Sequence, residues 1–132
     1  MISEFDLEQL KGEADVKNYP RGAIIINEGD RAPYNMCILL QGKATVYKNY
    51  RKEGEQMLAT LGAGDFIGEM SLFLSRPRSA TVISEVDTLV LEIDQKNVHN
   101  IIKKSPELPF KLIQTLCERL GDDAVAFKNM VK

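Results

Sequence analysis

The sequence predicts a mainly β fold: a double-stranded β-helix, or jelly-roll-like β roll, with a short N-terminal helix and a long C-terminal helix. Between residues 19 and 93, short apolar or alternating runs recur at close spacing, and turn residues separate many of them. After residue 94 the apolar residues recur at helical spacing instead. We therefore expect a single domain over residues 1–132, with the β roll at about 19–93 and C-terminal helices at about 95–131.

The N-terminal helix and the strands follow in order along the chain. The first dozen residues predict a short amphipathic helix, because Ile2, Phe5, Leu7 and Leu10 are the apolar residues among several acids. Strands are expected at residues 23–27, 36–40, 44–47, 57–61, 80–83 and 88–93. Turn-forming residues at 20–22, 28–30, 41–42, 53–54 and 62–65 separate many of these strands.

Two helices are expected after the strands. Asp94 can cap a short helix over residues 95–104, which has Val98, Ile101 and Ile102 on one side. Residues 105–107, Ser-Pro-Glu, are typical of a helix start, although Pro109 leaves the position of the first turn open. From there the helical pattern continues almost to the last residue.

The long C-terminal helix has the periodicity of a dimer interface. Spacings of three, four, three and four residues separate Cys117, Leu120, Ala124, Phe127 and Val131. This period is typical of the seam of a two-stranded coiled coil and predicts a homodimer through this helix. Apolar residues 112, 113 and 116 form a second stripe that can pack on the β core. The alternative to the dimer is a single helix that lies on its own domain.

Composition and charge limit the classes of partner. The chain is 44% hydrophobic and 27% charged, as is typical of a globular protein. A net charge of −2 and a pI near 5.5 give no overall basic field for nucleic acid. A local basic cluster is followed at once by Glu53 and Glu55, which is typical of a solvated hairpin tip. The basic residues are Lys43, Lys48, Arg51 and Lys52.

The expected compartment is the cytoplasm. Acidic residues at positions 4, 6 and 8 occupy the region where a secretory leader would carry positive charge. The longest apolar run, residues 36–40, is far too short to cross a bilayer, so no membrane contact is expected. Cys37 and Cys117 lie among apolar residues and are interpreted as buried thiols in a reducing compartment.

An enzymatic function is not expected. A metal-dependent enzyme on a β barrel relies on several histidines that converge on one metal ion, whereas His99 is the only histidine and lies in a predicted helix. A single histidine placed there also gives no credible catalytic triad, and no paired carboxylates stand out at a strand end. We therefore expect no metal and no cofactor.

The segment from residue 64 to residue 82 carries the distinctive chemistry. It predicts a strand, a glycine turn, one or two turns of helix, a loop and a new strand. Gly68 allows the backbone to pass close to a neighbouring group. Glu69 opens the short helix, so the N–H groups near Met70 and Ser71 point outward and can bind an anion.

Arg78 and Ser79 return from the far end of the loop, just before the strand that begins at Ala80. The Arg78 guanidinium can donate two parallel hydrogen bonds to a phosphate, and the Ser79 hydroxyl can add a third. The Glu69 carboxylate accepts hydrogen bonds, and a ribose 2′-hydroxyl next to a cyclic phosphate fits that demand. The alternative is a structural ion pair between Glu69 and Arg78 that closes an exposed loop.

This segment resembles the phosphate-binding cassette of the cyclic nucleotide-binding domain family. The family pattern is Phe-x-Gly-Glu-(Leu/Met)-(Ala/Ser/Gly)-Leu, a loop, and then Arg-(Ala/Ser/Thr)-Ala-x-Val. The residues that match it in order are Phe66, Gly68, Glu69, Met70, Ser71, Leu72, Arg78, Ser79, Ala80 and Val82. Residues 19–30, 40–47 and 78–120 also resemble the family, so the similarity covers most of the chain. By this resemblance Glu69 binds the ribose 2′-hydroxyl and Arg78 and Ser79 hold the cyclic phosphate, with the N–H groups of Gly68 and Met70 nearby.

The resemblance leaves the choice of base open. It places Asp123 and Ala124 on the long helix where family members use hydroxyl residues to contact adenine, and an aspartate departs from that pattern. Asp123 can accept a hydrogen bond from the adenine amino group, accept two from the N1 and N2 edge of guanine, or lie in solvent. Ser79 is compatible with either base.

The resemblance implies a regulatory sensor that binds a cyclic nucleotide, with cAMP expected ahead of cGMP from the family's bacterial members. The C-terminal helix is expected to close over the ligand. The family's regulators carry a helix-turn-helix after this helix, whereas this sequence ends at Lys132, so DNA binding by this chain alone is not expected. The rivals are a ligand-free domain of the same fold that acts as an oligomerisation scaffold, and an enzyme on a β roll.

Overall fold

In the computed structural model, the described part of the chain forms eight antiparallel strands. The structure describes residues 8, 10, 12–31, 34–104, 106–107, 109–111, 113–114 and 117–118. The strands are β1 (Asp15–Tyr19), β2 (Ile24–Ile26), β3 (Met36–Gln41), β4 (Ala44–Lys48), β5 (Gln56–Leu61), β6 (Phe66–Ile67), β7 (Thr81–Ser84) and β8 (Thr88–Ile93). Within the described residues, two helices have defined bounds, α1 (Glu69–Leu74) and α2 (Gln95–Lys104).

The strands make two four-stranded sheets. One sheet has the order β1-β8-β3-β6 and the other has the order β2-β7-β4-β5. Strands that follow each other in the chain therefore often lie in different sheets, as in a β roll. The mainly β fold expected from the sequence is confirmed.

The central strand β3 is covered on both faces, which explains its uninterrupted apolar sequence. Met36 and Ile38 belong to a core cluster that also contains Phe66, Leu72, Leu91 and Ile101. Cys37 and Leu39 point the other way, into a cluster with Ile26, Val82 and Val90 between the sheets. The two clusters hold β6 and α1, and therefore the segment from residue 64 to residue 82, against the sheets.

Strand β1 corrects the expected start of the β roll. The sheet begins at Asp15, not at residue 19, and β1 pairs with β8 along its whole length. Four of its five residues are exposed, and Val16 is the only aliphatic side chain in the strand. An edge strand of this kind has no hydrophobic alternation, so its pairing could not be detected from the pattern of apolar residues.

Helix α2 has the expected bounds and the expected cap. The Asn97 N–H donates to Asp94 Oδ1 at 2.8 Å, and the Asp94 N–H donates to Asn97 Oδ1 at 3.1 Å. This reciprocal pair is a capping box. Ile101 is buried and Val98 is half-buried, but Ile102 is 46% exposed, so the apolar side is narrower than expected.

Several expectations fall wholly or largely outside the described residues. These are the N-terminal helix over the first dozen residues, the full length of the C-terminal helix and the coiled-coil seam.

Of the two cysteines, Cys37 is buried as expected, whereas Cys117 is exposed, which corrects its interpretation as a buried thiol. None of the helices in the described part of the chain has the length and apolar character that crossing a bilayer requires.

Candidate functional site: a pocket around Arg78

The turn before α1 requires glycine at position 68. Gly68 has φ = +84°, a left-handed conformation that costs an L-residue about 1–2 kcal/mol. A Cβ atom at this position would lie 2.6 Å from Arg78 Nη1 and 3.0 Å from the Asn35 carbonyl oxygen. Glycine therefore lets the backbone turn into α1 while the Arg78 guanidinium packs directly against it.

The backbone of Arg78 is held by the turn after β2. The Arg78 N–H donates to the Asp30 carbonyl at 2.9 Å, and the Gly29 N–H donates to the Arg78 carbonyl at 2.8 Å. These two bonds join segments almost 50 residues apart, as a short antiparallel bridge would. The turn at residues 28–30 thus fixes the point from which the arginine side chain reaches into the protein.

The Arg78 side chain is buried at 8% exposure and is held by uncharged acceptors. Its Nη2 donates to Asn35 Oδ1 at 2.8 Å, and its Nη1 donates to the Gly68 carbonyl at 3.3 Å. The guanidinium carbon lies 5.8 Å from the centre of the Tyr34 ring, within the range of a cation–π contact. These three contacts orient the planar cation through uncharged groups.

Helix α1 brings a carboxylate to the same place. Glu69 is its first residue and is 9% exposed, so a buried acid and a buried base occupy the two ends of one segment. Ser71 is also buried, whereas Met70 is 52% exposed. A carboxylate in the first helical turn is stabilised by the free N–H groups there.

Ser79 and Ala80 form the outer part of the site. Ser79 is exposed and Ala80 is half-buried. The Ser79 carbonyl accepts a hydrogen bond from Lys48 Nζ at 2.8 Å, and Lys48 also pairs with Glu28 at 3.4 Å. The pKa of the Glu28 carboxyl is lowered, chiefly because the carboxylate accepts a hydrogen bond from the Asn49 N–H. The positive charge of Lys48 lowers it further.

Arg78, Ser79 and the first residues of α1 line one pocket with a volume of about 170 Å³. The polar wall consists of Gly68, Glu69, Met70, Ser71, Arg78, Ser79 and Ala80. The apolar wall comes from four different strands and consists of Ile26, Val46, Ile67 and Val82. We call this cavity the Arg78 pocket. It offers a buried cation and a buried carboxylate beside an aliphatic surface, a combination suited to a small anion with hydroxyl and apolar parts.

The structure brings together every site residue expected from the sequence except Asp123, which lies outside the described residues. His99 lies on α2 and is exposed, away from this wall. Sequence reasoning missed Asn35 and Tyr34, which hold the arginine, as well as the four aliphatic residues. No local signal marks Asn35, because its partner lies 43 residues away.

The geometry agrees with a comparison to known families. A profile described as the cyclic nucleotide-binding domain matches residues 16–105. The chain belongs to the cyclic nucleotide-binding domain family. The resemblance noted in the segment from residue 64 to residue 82 is thereby confirmed at the level of the family.

Individual relatives agree with this assignment. The chain is 29% identical over 115 residues to the cAMP-activated global transcriptional regulator CRP of Salmonella typhimurium, covering 86% of this chain and 54% of that protein. It is also 29% identical over 115 residues to the cGMP-dependent protein kinase of Plasmodium berghei, covering 87% of this chain and 13% of the kinase. The chain thus spans about half the length of the bacterial regulator and a small part of the kinase.

The fold of this family member also matches a solved structure. The catabolite activator protein of Thermus thermophilus superimposes with a TM-score of 0.84 at 24% sequence identity, covering 98% of this chain and 60% of the other. At this identity the match establishes the shared fold. It supports the β-roll architecture described above.

Proposed function

We propose that this chain is a regulatory sensor domain that binds a cyclic nucleotide in the Arg78 pocket and catalyses no reaction. The buried Arg78 guanidinium carries the proposal. Burying a cation costs free energy unless an anion or strong acceptors compensate it, and the two acceptors that hold this guanidinium are uncharged. A bound phosphate monoanion supplies a negative charge directly against the guanidinium, which these two uncharged acceptors do not.

The phosphate is proposed to lie between Arg78 and Ser79. The guanidinium plane presents paired N–H donors to two phosphate oxygens, and the Ser79 hydroxyl is free to turn toward a third. The N–H groups of Gly68 and Met70 belong to residues of the same wall and add donors. Each charge-assisted bond contributes about 1.5–3 kcal/mol.

The ribose is proposed to bind beside Glu69. A carboxylate next to a phosphate would repel it unless the ligand places a hydrogen-bond donor between the two charges. The 2′-hydroxyl of a ribose whose 3′ and 5′ oxygens are joined by phosphate meets that condition. This requirement favours a ribonucleotide with a ring-closed phosphate over an inorganic anion or a linear nucleotide.

The proposed ligand is cAMP. The names of the bacterial relatives, such as the cAMP-activated regulator of Salmonella typhimurium, support it, while the cGMP-dependent kinase among the relatives makes cGMP the alternative. Asp123 on the C-terminal helix is proposed to meet the base, with the helix closing over the occupied pocket. A ligand that favours the closed helix shifts the equilibrium toward it by its difference in affinity, which is sufficient for signalling.

A panel of ligands tests the proposal on the unmodified protein. Calorimetric titrations with cAMP, cGMP and 5′-AMP, together with thermal unfolding in the presence of chelator, are expected to give the order cAMP, cGMP, 5′-AMP. Among the three, 5′-AMP is expected to bind most weakly. Its phosphate carries an additional negative charge and, without a bond to the 3′ oxygen, is not held next to the ribose 2′-hydroxyl. Absence of binding and of any thermal shift with both cyclic nucleotides would favour the ligand-free scaffold instead.

The domain is also proposed to form a homodimer through its C-terminal helix. The heptad-like spacing from Cys117 to Val131 supports this, and Cys117, the first residue of the seam, is exposed in the single chain. Leu120→Glu places a charge in the seam and is expected to yield a monomer in sedimentation equilibrium, with Glu118→Gln as a control outside the seam. A monomeric unmodified chain would contradict the dimer and leave the ligand site unaffected.

A further inference from the structure

The Arg78 guanidinium is connected to the edge strand β1 by a continuous series of polar contacts. Asn35 Oδ1 accepts from Arg78 Nη2 at 2.8 Å, and Asn35 Nδ2 donates to Glu92 Oε2 at 3.4 Å. Glu92 lies on β8, and Asn35 lies directly before the neighbouring strand β3. One amide thus bridges the arginine and a carboxylate, with each end used for a different partner.

Both oxygens of Glu92 are fixed by strand β1. Tyr19 donates its hydroxyl to Glu92 Oε1 at 2.6 Å, and Lys17 Nζ lies 3.0 Å from Glu92 Oε2. The Glu92 side chain is 12% exposed, so these contacts replace most of its solvent. Burial and the bond to Glu92 both raise the pKa of the Tyr19 phenol, which therefore remains a donor through the neutral pH range.

The orientation of the Asn35 amide follows from these contacts. A carboxylate accepts only, so Glu92 selects the Asn35 rotamer whose NH₂ group faces β8. The amide oxygen then necessarily faces Arg78, where it accepts from the guanidinium. Asn35 is moreover uncharged, so it fixes the direction of the arginine without competing electrostatically with an incoming phosphate.

We propose that Asn35 and Glu92 are positioning residues for the ligand arginine, linked as the series Tyr19/Lys17–Glu92–Asn35–Arg78, which we call the β1 relay. The inference rests on the proposed function. It adds that phosphate affinity depends on residues that line no part of the pocket. The edge strand β1 thereby becomes a region whose substitution or partner contacts alter ligand affinity through Arg78.

Four variants test the β1 relay. Asn35→Leu removes the bridge at similar volume and is expected to weaken cAMP binding roughly tenfold, the scale of one hydrogen bond to a charged group. Glu92→Leu is expected to act in the same direction, while Glu92→Gln, which retains an acceptor for the amide, is expected to restore most of the affinity. Asn97→Leu is the matched control, because it removes a hydrogen-bonded asparagine of the α2 cap that does not line the Arg78 pocket.

Two readouts separate positioning from a general loss of stability. In an Arg78→Ala background, Asn35→Leu is expected to cause no further loss of affinity, because the residue acts only through the arginine. In the ligand-free protein, ¹⁵N NMR of the Arg78 guanidinium is expected to show hindered rotation that Asn35→Leu releases and Asn97→Leu does not.

These readouts also distinguish the inference from the proposed function. If no cyclic nucleotide binds, the proposed function fails, and the guanidinium spectra still decide whether the relay fixes Arg78. An unchanged guanidinium spectrum in Asn35→Leu, or an equal loss of affinity with and without Arg78, would overturn the relay.

Discussion

Arg78 lies where three parts of the chain meet, and each part performs a different task. The turn at residues 28–30 holds its backbone, Asn35 directs its guanidinium, and Gly68 provides the surface against which it packs. A buried arginine fixed in this way is preorganised, so little conformational entropy is lost when an anion binds. Each group of the ligand is therefore expected to depend on its own residue in the pocket.

The pairing of Glu69 with the ribose hydroxyl predicts a specific loss of discrimination. The unmodified domain is expected to bind cAMP roughly tenfold or more tightly than 2′-deoxy-cAMP, because the deoxy ligand lacks the hydroxyl that donates a charge-assisted hydrogen bond to the Glu69 carboxylate. In Glu69→Ala the two ligands are expected to bind about equally. Calorimetric titration of both ligands into both proteins measures this, and Glu107→Ala, an exposed acid on a different segment, serves as the control. Undiminished preference in Glu69→Ala would place the ribose elsewhere.

The buried thiol of Cys37 predicts a pH dependence of stability. Burial, followed by the charge of Glu92, raises the pKa of Cys37 from 9.0 to about 12. The unfolded chain therefore loses this proton near pH 9 while the folded chain retains it, so the folded state binds more protons between these values. The free energy of unfolding is expected to fall as the pH rises through this window, by at most about 1.4 kcal/mol per pH unit from this group.

Urea unfolding at several pH values checks this expectation. Cys37→Ala is expected to have a lower free energy of unfolding at neutral pH, because the substitution leaves a small cavity. Its free energy of unfolding is expected to fall less steeply as the pH rises, because the thiol that titrates is gone. Tyr19 contributes in the same direction because its pKa is also raised, so some slope should remain. An identical slope in the variant would mean that the thiol does not remain protonated in the folded state.

At the scale of elements, the short segments that form the site could be predicted from the sequence, because residues close together in the chain indicate them. The glycine at 68, the acid that opens α1 and the spacing to Arg78 all lie within one segment, and the α2 cap lies within four residues. The pairing of strand β1 and the role of Asn35 could not be predicted from the sequence. Their contacts depend on partners 43 to 77 residues away, and their own sequences carry no periodicity that indicates burial.

The cap of α2 gives a prediction that separates stability from binding. Asp94→Ala removes the acceptor of the Asn97 N–H and is expected to lower the free energy of unfolding by about 1 kcal/mol. Cyclic nucleotide affinity is expected to be unchanged, because Asp94 does not line the Arg78 pocket. Denaturant unfolding and calorimetry on the same preparation measure both quantities. A loss of affinity comparable to that of a pocket variant would show that α2 is coupled to the site.

For the whole molecule, the Arg78 pocket is a junction of the two sheets. Ile67 belongs to the sheet of β1, β8, β3 and β6, while Ile26, Val46 and Val82 belong to the other. The family pattern in the sequence contained the polar wall of this pocket but, apart from Val82, not its apolar wall, because aliphatic residues resemble any other core positions until the strands are arranged. A ligand at such a junction stabilises the fold as a unit, by about 2.7 kcal/mol at a concentration 100 times its Kd.

The most direct test compares two arginines of the same loop by calorimetric titration with cAMP. Arg78 is buried in the pocket, whereas Arg76 is exposed and does not line it. Arg78→Ala is expected to weaken binding by roughly 100-fold or more, since removing one partner of a buried charged pair costs about 2–5 kcal/mol. Arg76→Ala is expected to leave affinity within about twofold of the unmodified protein, as for most surface substitutions. Equal affinity of Arg78→Ala and the unmodified protein for cAMP would contradict the proposal that the Arg78 guanidinium binds the phosphate.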